Sequence, residues 1–198
     1  MAARDKPEIL SVRTAARSRL FHIESVNLRF GNGREVEYER LAGERPARKA
    51  VIIVPVLDRR TLLLIREYAV GIEEYVLGLA QGMVDRGETL AQAANRELME
   101  EVGYGARRIS RLCTLDLAPN YLSYRTDVVL AEDLYPRALP GDEPEPLEVV
   151  PWPLADLPGL LRGGRVTEAR SVAALFLARM HLEDAAPTTG AAAAPFGA

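Results

Sequence analysis

The chain has 198 residues, 48% of them hydrophobic and 27% charged, with a net charge of −3. That length suits one domain with at most a small appendage, and the charge balance excludes a basic field that would recruit nucleic acid. The single Cys113 excludes an intrachain disulfide, no apolar run reaches the length of a membrane span, and the early charges Arg4, Asp5, Lys6 and Glu8 exclude a signal-peptide core, so a cytoplasmic protein is expected.

Residues 9–41 read as β-rich. Val26, Leu28 and Phe30 alternate with polar residues, Gly31-Asn32-Gly33 tolerates positive φ, and Val36 and Tyr38 resume the alternation, which predicts a hairpin. Two denser apolar strands follow at 49–57 and 62–66 around the turn Asp58-Arg59-Arg60, with composition that suits burial on both faces. A helix begins near Thr89, whose hydroxyl can cap it while Gln92 reaches back, and Leu90, Ala94 and Leu98 form its core stripe. Residues 112–117 and 125–130 predict strands on either side of Ala118-Pro119-Asn120-Tyr121. Residues 136–148, rich in Pro and Glu, predict an exposed loop. A short strand around Val149, Val150 and Trp152 leads to a small helix at 154–161. A second long helix spans 167–183, with Val172, Leu175, Phe176 and Arg179 at amphipathic spacing. From residue 185 onward Ala, Pro, Thr and Gly predict disorder. This order of elements fits an α+β fold, a mixed-sheet α/β/α sandwich.

One stretch departs from ordinary helix design. Glu97, Glu100 and Glu101 crowd the end of the first helix, just before Val102 and Gly103. At 100° per residue, Glu100 and Glu101 fall about 60° to one side and 40° to the other of Glu97, so all three share a face. Like charges at that spacing repel, and acids at a helix C-terminus oppose its dipole. Three converging carboxylates become favourable around a hard divalent cation, which takes oxygen ligands.

Gly82, Glu88, Arg96-Glu97-Leu98, Glu100-Glu101 and Gly103-Tyr104 stand at spacings that resemble an unbroken Nudix box. The resemblance implies a mixed sheet held between two helices, with the box forming a loop, a helix and a loop. It implies that Glu97 and Glu101 are the principal metal ligands, with Glu100 a further one and the Gln81 carbonyl an extra one. It implies Mg2+ as the cofactor, with Mn2+ able to substitute. Arg96 would pair with Glu88 and pin the loop to the helix. The bond broken would be a diphosphate linkage in a nucleoside diphosphate joined to another group. For the general base the candidates are Glu143 and Glu145, in Gly141-Asp142-Glu143-Pro144-Glu145-Pro146, and Glu101.

Beyond the box, Arg66 ends an apolar strand, where its planar fork could bind a diphosphate or close a strand-end salt bridge. Tyr121 falls 17 residues after Tyr104, a place suited to base stacking or to plain packing. Segments including Ile65-Arg66-Glu67-Tyr68-Ala69-Val70-Gly71, Asp133-Leu134-Tyr135-Pro136 and Glu168-Ala169-Arg170 make the chain similar to the bacterial ADP-compounds hydrolases, the NudE type. Val76 departs from that pattern, where a Glu is expected. This resemblance implies hydrolysis of ADP-ribose, diadenosine polyphosphates or NADH. It also implies a homodimer whose N-terminal strands reach the partner's site, bringing Arg40 to substrate. The expected division is 1–46 for the N-terminal strands (dimerisation and substrate), 47–184 for the Nudix hydrolase domain and 185–198 for the tail. The alternatives are a hydrolase of GDP-sugars or other nucleoside diphosphosugars, and a non-catalytic ADP-ribose binder.

Overall fold

The computed structural model describes residues 5–43, 49–123 and 125–184; the expected disorder of 185–198 lies outside the described residues. Its centre is set by alternation in three strands, β4 (Ala50–Asp58), β5 (Thr61–Ala69) and β9 (Arg125–Pro136). Ile52, Val54, Leu62, Leu64, Val128 and Leu130 join one apolar cluster; Val51, Ile53, Leu63, Ile65, Val129 and Ala131 join another. Successive strand side chains point to opposite faces, so a sheet with apolar residues at both parities must be covered twice. The second cluster takes in Ala93, Ala94, Leu98 and Val102 from the box helix, and the first takes in Leu157, Leu160, Ala174, Leu175 and Ala178. The result is the expected α+β sandwich.

The sheet runs β10–β5–β4–β9–β8, with β10 at Glu148–Pro153 and β8 at Tyr104–Asp116. β4 and β9 pair parallel and the other pairs are antiparallel, which makes the sheet mixed. Two short strands, β6 (Glu74–Gly78) on β5 and β7 (Gln81–Met83) on β4, had no strand expectation. They lead the chain into the box. One face carries α1 (Leu90–Glu97), and the other carries α2 (Leu157–Arg162) and α3 (Ala169–Asp184).

Two sequence expectations need correcting. β8 and β9 outrun the strands expected at 112–117 and 125–130, because the added length is polar. Arg107, Arg108 and Arg111 on β8 face Asp133, Glu132 and Asp127 on β9 at 3.3, 2.8 and 2.9 Å. In α3 the buried face is Ser171, Ala174, Leu175 and Ala178, while Phe176 is 51% exposed. Small side chains let this helix approach the sheet, and the Leu79 N–H donates to Ser171 Oγ at 3.4 Å.

Ahead of this body lies a separate antiparallel sheet of β1 (Glu8–Arg17), β2 (His22–Arg29) and β3 (Glu35–Leu41). The expected hairpin is present, with Val26 opposite Tyr38 and Leu28 opposite Val36. Backbone bonds tie it to the β8–β9 loop: the Leu41 N–H donates to Tyr121 O at 2.7 Å, and the Ser123 N–H donates to Leu41 O at 3.2 Å.

Leu64 is fully buried against the α2 and α3 side. Leu64→Ala should lower unfolding free energy by about 2–5 kcal/mol in a urea titration. A loss within error of zero would mean this cluster does not hold the sandwich.

Candidate active site

Capping fixes where the box helix starts. The Gln92 N–H donates to Thr89 Oγ1 at 3.3 Å and the Thr89 N–H donates to Gln92 Oε1 at 2.8 Å, so two otherwise orphaned donors are satisfied, as expected. The α-helical geometry ends at Glu97. Leu98–Val102 continues as a π-helical turn, closed by Gly103 at φ 77°, whose N–H reaches Leu98 O. The expected single face of a regular helix is therefore replaced by a wider turn, a feature that often marks functional positions. Glu97 and Glu101 are buried, at 9% and 8% exposure, while Glu100 is only partly covered.

Arg96 organises these acids. Its Nε and Nη2 donate to Glu88 at 3.0 and 3.1 Å, and Nη1 donates to Glu97 at 2.8 Å and to Glu100 at 3.1 Å. Nη2 also reaches the Met83 carbonyl at 3.0 Å, so the loop before the helix is held to it. The hydrogen bond from Arg96 holds Glu88 below the usual carboxylate range. Gly82 sits under Glu97: a Cβ there would overlap the carboxylate, and β7 holds Gly82 opposite Val51 of β4.

The deepest acid is Glu101. Burial pushes its carboxyl up to about 9, against the Gln81 N–H that donates to it at 3.2 Å, and Glu97, Glu143 and Glu67 add like charge. Burial also raises Glu97, opposed by Arg96 and reinforced by Glu100 and Glu143. A cavity of about 470 Å3 opens beside Glu101, and its walls include Glu100, Glu101, Gly141, Glu143, Glu145 and Leu147. Glu145 accepts a hydrogen bond from Tyr75 Oη at 2.5 Å.

Glu67 was not singled out from the sequence, yet burial and Glu143 raise its carboxyl. The signal was available. Leu63 and Ile65 face the box helix, so two-residue alternation puts Glu67 on that face as well.

Three expected substrate contacts stand outside the acidic cluster. Arg66 pairs with Glu148 of β10 at 2.7 Å, the strand-end bridge. Arg40 pairs with Glu24 inside the N-terminal sheet at 2.8 Å. Tyr121 is 66% exposed at the joint between that sheet and the body.

Among the described residues no three acids stand ready to grip a cation; Glu97 and Glu100 are drawn onto Arg96. The donor set nonetheless fits a hard dication. It offers carboxylate oxygens together with Gln81 Oε1, a buried oxygen without a hydrogen-bond partner. The sequence pointed to the Gln81 carbonyl, whereas the orphaned oxygen is on its side chain.

Comparison with known proteins gives the family. Residues 46–175 match the NUDIX domain model, and the chain belongs to the Nudix hydrolase family. Residues 7–40 match the model of the NudE-type Nudix hydrolase N-terminal domain. The chain is 54% identical to the ADP compounds hydrolase NudE of Escherichia coli (strain K12), across 90% of this chain and 94% of that protein. It is 26% identical to an ADP-ribose pyrophosphatase of Bacillus subtilis (strain 168), across 84% and 91%. A crystal structure of an ADP compounds hydrolase superposes with a TM-score of 0.86 at 52% identity, covering 93% of this chain and 98% of that one. Nudix hydrolases generally use divalent metal ions, and no helix among the described residues is long and apolar enough to cross a membrane.

The raised Glu101 carboxyl has a measurable consequence. The metal-free folded chain holds a proton there that the unfolded chain releases above the ordinary value of 4.5, so stability falls as pH rises from about 4.5 to about 9. Glu101→Gln removes this loss. Its melting temperature in chelator should exceed that of the unmodified chain near pH 8 by a few degrees, at about 2–4 °C per kcal/mol. The gap should close near pH 4.5, and an equal gap at both pH values would contradict the raised carboxyl.

Proposed function

We propose that this protein hydrolyses the diphosphate linkage of ADP-linked compounds (ADP-ribose, diadenosine polyphosphates and NADH), releasing AMP and a phosphorylated product, with Mg2+ as cofactor and Mn2+ able to replace it. One observation carries the reading: likeness to an ADP compounds hydrolase extends through both the N-terminal strands and the box.

Glu97, Glu101 and Glu100, with Gln81, would hold the dication. What a bound dication supplies is charge neutralisation on the diphosphate and a more acidic water. The protein's own groups do the rest. Arg96, anchored by Glu88, offsets the negative charge of the box acids and keeps the loop against the helix. Glu97 and Glu100, which accept from Arg96, would be the carboxylates that hold the dication. As the attacking water forms its bond to phosphorus and the bond to the departing phosphate oxygen breaks, a carboxylate takes the water's proton. Glu143 is favoured for that step because it lines the same cavity as Glu100 and Glu101. Arg66 can turn its fork from Glu148 to the diphosphate, and Tyr121 offers its exposed ring to a base.

The N-terminal segment, 1–46, is read as a dimerisation and substrate element, and 47–184 as the Nudix hydrolase domain. Ile9 on β1 and, in the turn after it, Leu20 and Phe21 are 58%, 75% and 54% exposed, apolar side chains that a second copy would cover. In such a homodimer Arg40 lies near the partner's site. We read the chain as a cytoplasmic enzyme acting on a small-molecule substrate.

Incubated with Mg2+, the purified protein should convert ADP-ribose to AMP and ribose 5-phosphate. Glu101→Gln should lower kcat by roughly 10²–10⁴ with unchanged circular dichroism. Preference for GDP-mannose over every ADP compound would replace this reading. Sedimentation should give twice the chain mass, and Ile9→Asp with Phe21→Asp should give one chain mass; a monomeric unmodified protein would remove the dimer.

A further inference from the structure

The loop that walls the cavity is fastened at both ends. At its start the Arg137 N–H donates to Gly103 O at 2.9 Å and the Leu139 N–H donates to Met99 O at 3.0 Å. At its end Glu148 is held by backbone pairing with β5. Between these points Glu143 lines the cavity together with Glu100 and Glu101. Among the described residues Glu143 has no hydrogen-bond donor of its own, so its own side-chain bonds do not hold it in place.

Among the described residues one side-chain bond holds the 141–147 span, the Tyr75 Oη donation to Glu145. Tyr75 is well placed to hold. It lies opposite Tyr68 in the β5–β6 pairing, with the two rings edge to face at 5.3 Å. Its partner Glu145 sits between Pro144 and Pro146. Proline fixes its own φ and restricts the residue before it, so holding Glu145 leaves Glu143 little slack.

We propose that Tyr75 is a positioning residue: through Glu145 it holds the loop so that Glu143 is the carboxylate presented to the attacking water. Glu145 is then a tether and Glu143 the base. This rests on the hydrolase reading above, and the tether can be measured apart from it.

Hydrogen exchange on the metal-free full chain reads the tether directly. Tyr75→Phe keeps the ring and removes the donor, so exchange at 141–148 should quicken while α1 is unchanged. Unaltered exchange there overturns the proposal whether or not the protein hydrolyses ADP compounds. Failure of the unmodified protein to turn over any of them would count against the function reading alone.

Kinetics then tests the assignment. Tyr75→Phe should lower kcat about fivefold, about 1 kcal/mol at 1.36 kcal/mol per tenfold, with a smaller change in KM. Glu143→Gln should lose far more, and the double variant should lose no more than Glu143→Gln alone. Glu145→Gln, whose amide oxygen still accepts the bond, should recover most of what Glu145→Ala loses. Independent, multiplying losses for Tyr75 and Glu143 would overturn the proposal. So would a Glu145→Gln as impaired as Glu143→Gln.

Discussion

One guanidinium makes the acidic box tolerable. Glu88, Glu97 and Glu100 all accept from Arg96, which also takes the Met83 carbonyl. Without it two partly buried acids and their neighbours would repel across a π turn, in surroundings where burial already works against Glu97 and Glu101. Arginine suits this post because its fork serves several oxygens at once and stays charged. The arrangement also explains why the acids do not converge on their own. Arg96 thereby ties Glu88, Glu97, Glu100 and the loop before the helix into one network.

The backbone beneath this network is equally constrained. β7 is only three residues long, yet it sets Gly82 beside β4, and glycine at that point gives the Glu97 carboxylate its resting place. From there the sheet spreads the requirement outward. β4 is buried from Val51 to Val56 because it lies between β9 on one side and β5 and β7 on the other. Apolar residues of both parities then demand a helix on each face, and one of those helices is the box.

Much of this was readable in the sequence, for reasons that differ by element. The capping box at Thr89 and Gln92 is local chemistry, and so was visible. The β2–β3 hairpin was visible through alternation around Gly31-Asn32-Gly33. β8 was under-read because Arg107, Arg108 and Arg111 find their acids on a distant strand, and no local pattern announces that. The α3 face was misjudged because Ser171, Ala174 and Ala178 bury by being small, whereas Phe176 is large and outward. In the site, residue spacing located the acids of the box but could not foresee the π turn. Glu67 and the Tyr75–Glu145 bond join segments far apart in the chain, and only the fold brings them to the box.

The parallel pairing of β4 with β9 sets a timetable for the nascent chain. The strands that meet run from Ala50 and Thr126, with the whole box between them. Closing so long a segment costs entropy before any contact repays it. A ribosome that has released the box but not β9 therefore exposes an acidic helix with no finished sheet to rest on. Hydrolytic competence arrives late in synthesis, once the strand that seals β4 has emerged.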